Sequence, residues 1–356
     1  QERLDDPLVV EVVDDRAIRA NDDAVVAGSL GDWRDPARRP AGDEDDGRAR
    51  LFDTSERFGG ALRDRAVGSD DSAVEIGGDE TDGHAFHRIL RRMRIGVAVL
   101  PEHPWAQARS IFAHLEDLGF DHAWTYAHLS WRTLRDGPWY AAIPWLSAVA
   151  ASTSRLRLGT LVASPNFRHP VPFAKELLTL DEISEGRVIL GIGAGTTTHD
   201  ATVLGTPAWP PLERSERFEE FIGLLDTLLT SPATTFAGRF YSADDARMIP
   251  GCTQQPRLPF AIAALGQRGM AVAARYALTW VTYGDPKLPA AEQGAGVARL
   301  GAEVDEACSA AGRDPSSVGR LVLTGSSGPD FFDSVGEFTD AVGRYGELSF
   351  TDVVIR

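Results

Sequence analysis

Cysteine, lysine and long apolar runs are all scarce in this chain, and each scarcity closes off a class of function. There are two cysteines in 356 residues, Cys252 and Cys308, far apart and with no ligand-like spacing. That offers neither a disulfide scaffold nor a zinc site and suits a reducing cytosol. Lysine occurs only at 175 and 287, so the positive charge is carried almost wholly by arginine, as the codon bias of a GC-rich genome would produce. Positive charge is itself in deficit: 36 Lys and Arg face 52 Asp and Glu, for a net charge of −16 and a pI near 4.9. Nucleic acids and anionic membranes bind basic patches, so both are excluded as expected partners. No apolar run approaches the ~20 residues of a membrane span, and nothing resembles a signal peptide.

What is present divides at residue 92. Residues 1–92 carry 14 Arg against 23 Asp and Glu, with acidic, turn-rich stretches at 42–47 and 77–83. Val9-Val10-Glu11-Val12-Val13 is the one strand-like run there. Low hydrophobicity with high net charge predicts disorder. The chain opens on Gln1, and Met93 stands directly before the first well-patterned strand, so the functional unit is expected to span 93–356.

The most informative stretch is Leu177–Gly195, LLTLDEISEGRVILGIGAG. An apolar-periodic helix ends at Ser184-Glu185-Gly186, where glycine allows a stop. A buried strand, Arg187–Gly193, then runs out into Gly193-Ala194-Gly195. Ligands of α/β folds sit beyond the carboxyl ends of parallel strands, so bare backbone there suits a flat or phosphorylated ligand. The same glycines would also ease packing.

Around this unit the pattern repeats. Strands are predicted at 94–100, 120–126, 155–162, 187–193, 258–264, 279–283, 318–324 and 348–355. Helices fall between them at 105–118, 141–152, 171–181, 212–229, 266–277, 290–311 and 332–345. Residues between 229 and 258 read as irregular. Eight strands alternating with helices define an α/β fold, a (β/α)₈ or TIM barrel. No helix follows the eighth strand before Arg356, which predicts exposed apolar flanks on the first and last strands.

Thr179–Arg187 followed by Leu190–Gly195 resembles the hallmark of the bacterial luciferase-like monooxygenase family. The likeness extends to Leu156–Thr160, to Arg168-His169-Pro170 with Ala174-Lys175, to Trp124–His128, and to Pro259–Ala264 running into Gly266–Gly269. It covers roughly Met93 to Ile355. The resemblance implies FMN or a deazaflavin (coenzyme F420) at the strand ends, hydride transfer on a small-molecule substrate, and in some members oxygen activation. A separate flavin reductase and a homodimer are further expectations of the same kind.

On that basis His128, at the end of the second strand, is the expected catalytic residue, since imidazole can relay a proton near neutral pH. Gly266-Gln267-Arg268-Gly269 opens a helix, where free N–H groups and the dipole form an anion site that Arg268 would reinforce for the cofactor phosphate. Gly193, Ala194 and Gly195 would admit the ring system, with Thr160 and Ser164 as its hydrogen-bond partners. His103, Trp131, Trp139 and Tyr140 are substrate-pocket candidates, and His169 reads as part of a structural turn. Relatives acting on sugar phosphates with deazaflavin carry a glutamate directly after the glycine-rich strand end; Thr196 stands here instead, which counts against that activity. His199 and Asp200 offer other polar groups nearby. A Rossmann dehydrogenase is opposed because neither Gly191 nor Gly193 starts a G-x-G-x-x-G. A metal-dependent barrel hydrolase lacks a His/Asp ligand cluster on the strand ends. A non-catalytic flavin-binding barrel is the remaining alternative.

Overall fold

The computed structural model describes residues 93–131, 134–196, 199–289, 292–324 and 335–356. The acidic stretch 1–92 and the expected helix starts at Ala290 and Phe332 lie outside them. Eight parallel strands close into a barrel in the order β1-β10-β9-β8-β7-β4-β3-β2. They are β1 (Arg94–Ala98), β2 (His122–Thr125), β3 (Arg157–Thr160), β4 (Val188–Gly193), β7 (Phe260–Ala263), β8 (Thr279–Thr282), β9 (Gly319–Leu323) and β10 (Asp352–Ile355). Between them run α1 (Trp105–Leu118), α2 (Ala142–Ala150), α3 (Pro170–Ile183), α4 (Pro211–Thr230), α5 (Gln267–Tyr276), α6 (Gln293–Ala310) and α7 (Val335–Glu347).

Two expectations are corrected. The stretch between α4 and β7, read as irregular, contains an antiparallel hairpin, β5 (Ala233–Ala237) with β6 (Ser242–Arg247). Its second strand hides in the sequence because Asp244 and Asp245 are poor strand formers and Asp245 takes a positive φ of 45°. The apolar flank expected to be exposed beside β1 and β10 is buried: Ile95, Val97, Val353 and Ile355 are each at most 6% exposed. They share one continuous cluster with Ile111 of α1 and Val342 of α7, and β10 pairs directly with β1.

The hallmark stretch serves two ends of the barrel. Its turn lies at the amino-terminal end of β4 and is structural. Glu185 and Gly186 both take positive φ, and Ser184 Oγ donates to Asp181 O while accepting from Arg187 N–H. The Arg187 guanidinium donates to the carbonyls of Ala150, Thr153, Leu156 and Ser184, tying the end of α2 to the start of β4. Only the glycine-rich end faces the carboxyl-terminal mouth.

Alternation along the strands fills the barrel interior with Trp124, Tyr126, Leu161, Ala261, Val281, Leu321 and Val354. Trp124 is 1% exposed, and its size dictates neighbouring glycines. A Cβ on Gly159 would lie 2.5 Å from the Trp124 ring; one on Gly191 would lie 1.8 Å from Thr160 O. Both are packing glycines.

Candidate functional site

β2 points His128 at the carboxyl-terminal mouth, continuing the inward alternation of Trp124 and Tyr126. Its Nδ1 lies 2.6 Å from Oδ2 of Asp200, which sits in a single 3₁₀ turn, His199–Ala201, between β4 and α4. The other carboxylate oxygen accepts the Leu129 N–H at 2.8 Å. A carboxylate only accepts, so Nδ1 carries the shared proton, and Nε2 is the ring nitrogen left for a ligand. No protein partner for Nε2 is found among the described residues. The imidazole lies 4.4 Å from the Trp131 ring at 34°, and Trp139 Nε1–H donates to His128 O at 2.9 Å. Tyr126 meets Trp131 edge-on, and the Arg356 guanidinium lies 5.5 Å from the Tyr126 ring centroid.

Arg168 supports this arrangement from the loop after β3. Its guanidinium donates to Ala127 O at 3.1 Å and Ser164 O at 3.2 Å and lies over the rings of Phe167 and Phe173. Burial pushes its pKa down to about 10, against the pull of Asp200 and Glu176. A buried cation thus faces the Asp200 carboxylate and anchors the backbone just before His128.

Several expected ligand contacts are redistributed. Thr160 alternates with the inward Gly159 and Leu161, so its side chain faces the helices and its hydroxyl donates to Gly191 O at 2.6 Å; it is not offered to a ring in the mouth. Ser164 is 2% exposed, and its Oγ has no hydrogen-bond partner among the described residues. Gly193 leaves only 3.3 Å between a Cβ and Val162, and Gly195 takes φ 80° against Asn166, so crowding as well as ligand access explains them. Ala194 between them is half-buried.

Gly266 is the N-cap of α5 with no side-chain cap, so the N–H groups of Gln267, Arg268 and Gly269 lack intrahelical acceptors. The Arg268 side chain does not join them. It reaches α4, 3.3 Å from Glu219 and 3.5 Å from Glu216, and is 45% exposed.

Of the pocket candidates, Trp131 and Trp139 come to His128, whereas Tyr140 is 43% exposed and its N–H is bound to Pro101 O. His103 lies half-buried in the bend between β1 and α1. His169 caps α3, its Nδ1 accepting the Val171 N–H at 3.3 Å. Asp200 and Arg168 were the residues whose roles the sequence did not disclose. Among the described residues there is no cluster of metal-ligating side chains, and no helix is long and apolar enough to cross a membrane. Both cysteines are free and buried, with thiol pKa values raised by burial.

These features define a (β/α)₈-barrel protein with a histidine–carboxylate pair and an uncapped helix start at the carboxyl ends of its strands. The chain belongs to the luciferase-like monooxygenase family, whose model matches residues 89–325. It is 40% identical over 163 residues to an F420-dependent glucose-6-phosphate dehydrogenase of Beutenbergia cavernae, covering 45% of this chain and 47% of that one. It is 29% identical over 231 residues to an F420-dependent hydroxymycolic acid dehydrogenase of Mycobacterium tuberculosis, covering 63% and 61%. The chain thus spans about half the length of the glucose-6-phosphate dehydrogenase it matches. A solved F420-dependent secondary alcohol dehydrogenase, bound to an F420-acetone adduct, shares the fold at TM-score 0.63 and 18% identity over 74% of this chain and 93% of its own.

Proposed function

We propose that this chain is a deazaflavin-dependent oxidoreductase acting on an alcohol or carbonyl group of a small organic substrate. The observation that carries the reading is the His128–Asp200 pair at the carboxyl-terminal mouth, with Nε2 left available. The orphaned Ser164 hydroxyl, the glycine edge at 193–195 and the uncapped start of α5 fit a flat ring carrying a phosphate. Gln267, Arg268 and Gly269 would hold the phosphate through backbone N–H groups, and Ser164 would bond the ring. The bound deazaflavin supplies hydride acceptance and donation. His128 Nε2 would accept the proton of the substrate hydroxyl on oxidation and return it in the reverse direction. Asp200 fixes the tautomer and stabilises the imidazolium formed, while Trp131 and Trp139 limit water around it. The relatives named above favour deazaflavin over FMN. Thr196, which stands where sugar-phosphate oxidising relatives carry glutamate, favours a substrate other than a sugar phosphate.

The test is a fluorescence-quench titration of the full chain with deazaflavin and, separately, FMN, followed by anaerobic reduction of the bound cofactor with a panel of secondary alcohols. Micromolar deazaflavin binding, with reduction that disappears in His128→Ala, is the expected result. Binding of FMN alone, with oxygen uptake, would replace this reading by the monooxygenase one. Binding of neither by folded protein would overturn the enzymatic reading.

A further inference from the structure

The opposite, amino-terminal mouth of the barrel holds a cavity of about 280 Å³ that the proposed reaction does not use. One side is polar, with His122, Arg157, Thr279 and Asp352 at the starts of four strands. The other is apolar, formed by Trp124, Ile189 and Leu321.

The charges in this cavity do not balance around Arg157. Asp352 is gripped by Arg94, Nε at 2.7 Å and Nη2 at 2.6 Å, and also accepts from Thr351 Oγ at 2.6 Å. His122 completes its shell at 3.1 Å. The Trp124 indole N–H can only donate, and it donates to His122 Nδ1 at 2.7 Å. The His122 proton is therefore on Nε2, directed at Asp352, and the ring is neutral. Asp121, the other nearby carboxylate, accepts the Ile95 N–H and acts on Arg94. Both carboxylates thus serve Arg94. Arg157 has no carboxylate within ion-pair distance among the described residues; its one hydrogen-bond acceptor is Gln254 Oε1, at 3.5 Å. Burial and the repulsion of Arg94 lower its pKa, and the attraction of Asp352 does not offset them. Among the described residues no hydrogen bond engages the Thr279 hydroxyl.

A half-buried guanidinium without a counter-ion is costly, and its fork matches a carboxylate bidentately. We infer that this cavity is a second ligand site, separate from the strand-end site, and takes a small amphipathic carboxylate. The carboxylate sits on Arg157 and Thr279, and the apolar body lies against Trp124, Ile189 and Leu321. A guanidinium with no carboxylate within ion-pair distance among the described residues matches a monoanion, and the apolar wall disfavours a hydrated phosphate dianion. The inference is independent of the proposed reaction.

Benzoate, its neutral analogue benzamide, and inorganic phosphate serve as probes, titrated calorimetrically into the full chain at matched ionic strength. Benzoate is expected to bind, with benzamide and phosphate each weaker by roughly tenfold or more. Arg157→Gln should lose roughly tenfold or more of benzoate affinity, with Arg157→Lys intermediate, while deazaflavin quenching is unchanged. Thr279→Val preserves shape, gives a second reading should Arg157→Gln fold poorly, and should bind benzoate severalfold more weakly. Absence of benzoate binding, equal binding by wild type and both variants, or tighter phosphate binding with the same Arg157 dependence would each overturn the assignment.

Discussion

Asp200 Oδ2 meets His128 Nδ1 at 2.6 Å across 72 residues of chain, joining the loop after β4 to the end of β2. In the proposed reaction His128 carries the proton and Asp200 orients the imidazole. His128→Ala should lower kcat by about 10²–10⁴-fold, the range of a lost general acid–base group. Asp200→Asn should lower kcat less, leaving deazaflavin affinity near wild type. Stopped-flow reduction of the bound cofactor separates the two effects; an unchanged rate in Asp200→Asn would remove Asp200 from the mechanism.

Arg168 acts through backbone. Replacing it with Gln leaves the carbonyls of Ala127 and Ser164 short of donors in a buried setting, which costs about 1–3 kcal/mol for each unsatisfied group. Chemical denaturation should show this loss. The rate of cofactor reduction should fall as well, because the backbone just before His128 is no longer held, and Arg168→Lys should recover only part of it.

Asp352 governs acid stability. Burial works to raise its pKa, but hydrogen bonds from His122 and Arg94 outweigh that and hold it below the usual carboxylate range. A carboxylate depressed in the folded state stabilises above its unfolded pKa, about 3.9, and loses that contribution as pH falls. Asp352→Asn should therefore melt below wild type at neutral pH, with the gap in Tm narrowing as the buffer passes below about pH 4. A gap that stays constant to low pH would contradict the assignment.

Gly191 is a packing glycine with no room for a methyl group. A Cβ there meets Thr160 O at 1.8 Å, and backbone cannot step aside cheaply. Gly191→Ala should cost roughly 1–3 kcal/mol or more and reduce soluble yield. Thermal melts of Gly191→Ala beside Gly266→Ala, where nothing lies within 4 Å, provide the control.

The alternation of β-branched runs with amphipathic helices made the barrel legible, because each period reflects burial on one face. The β5–β6 hairpin was not, since Asp244 and Asp245 sit where strand formers would be expected and its core face rests on residues as small as Thr234 and Ala243. At the site, the position of His128 followed from strand order alone. Its partner did not, for a contact between residues 128 and 200 depends on how two loops fold over the same mouth. The glycines were legible only in part: Gly193 and Gly195 read as ligand access, yet Val162 and Asn166 also crowd them. Arg268 carried the right charge at a helix start, but the carboxylates of α4 hold its side chain elsewhere.

Trp124 stands between the two mouths, packed in one interior cluster with Tyr126, Leu161 and Leu321. It works as a bulkhead: the chemistry of one compartment can drift without flooding the other. Trimming that indole to a small side chain would deepen the lower cavity by the volume of a ring, while Tyr126 and Leu161 still plug the bore beyond it.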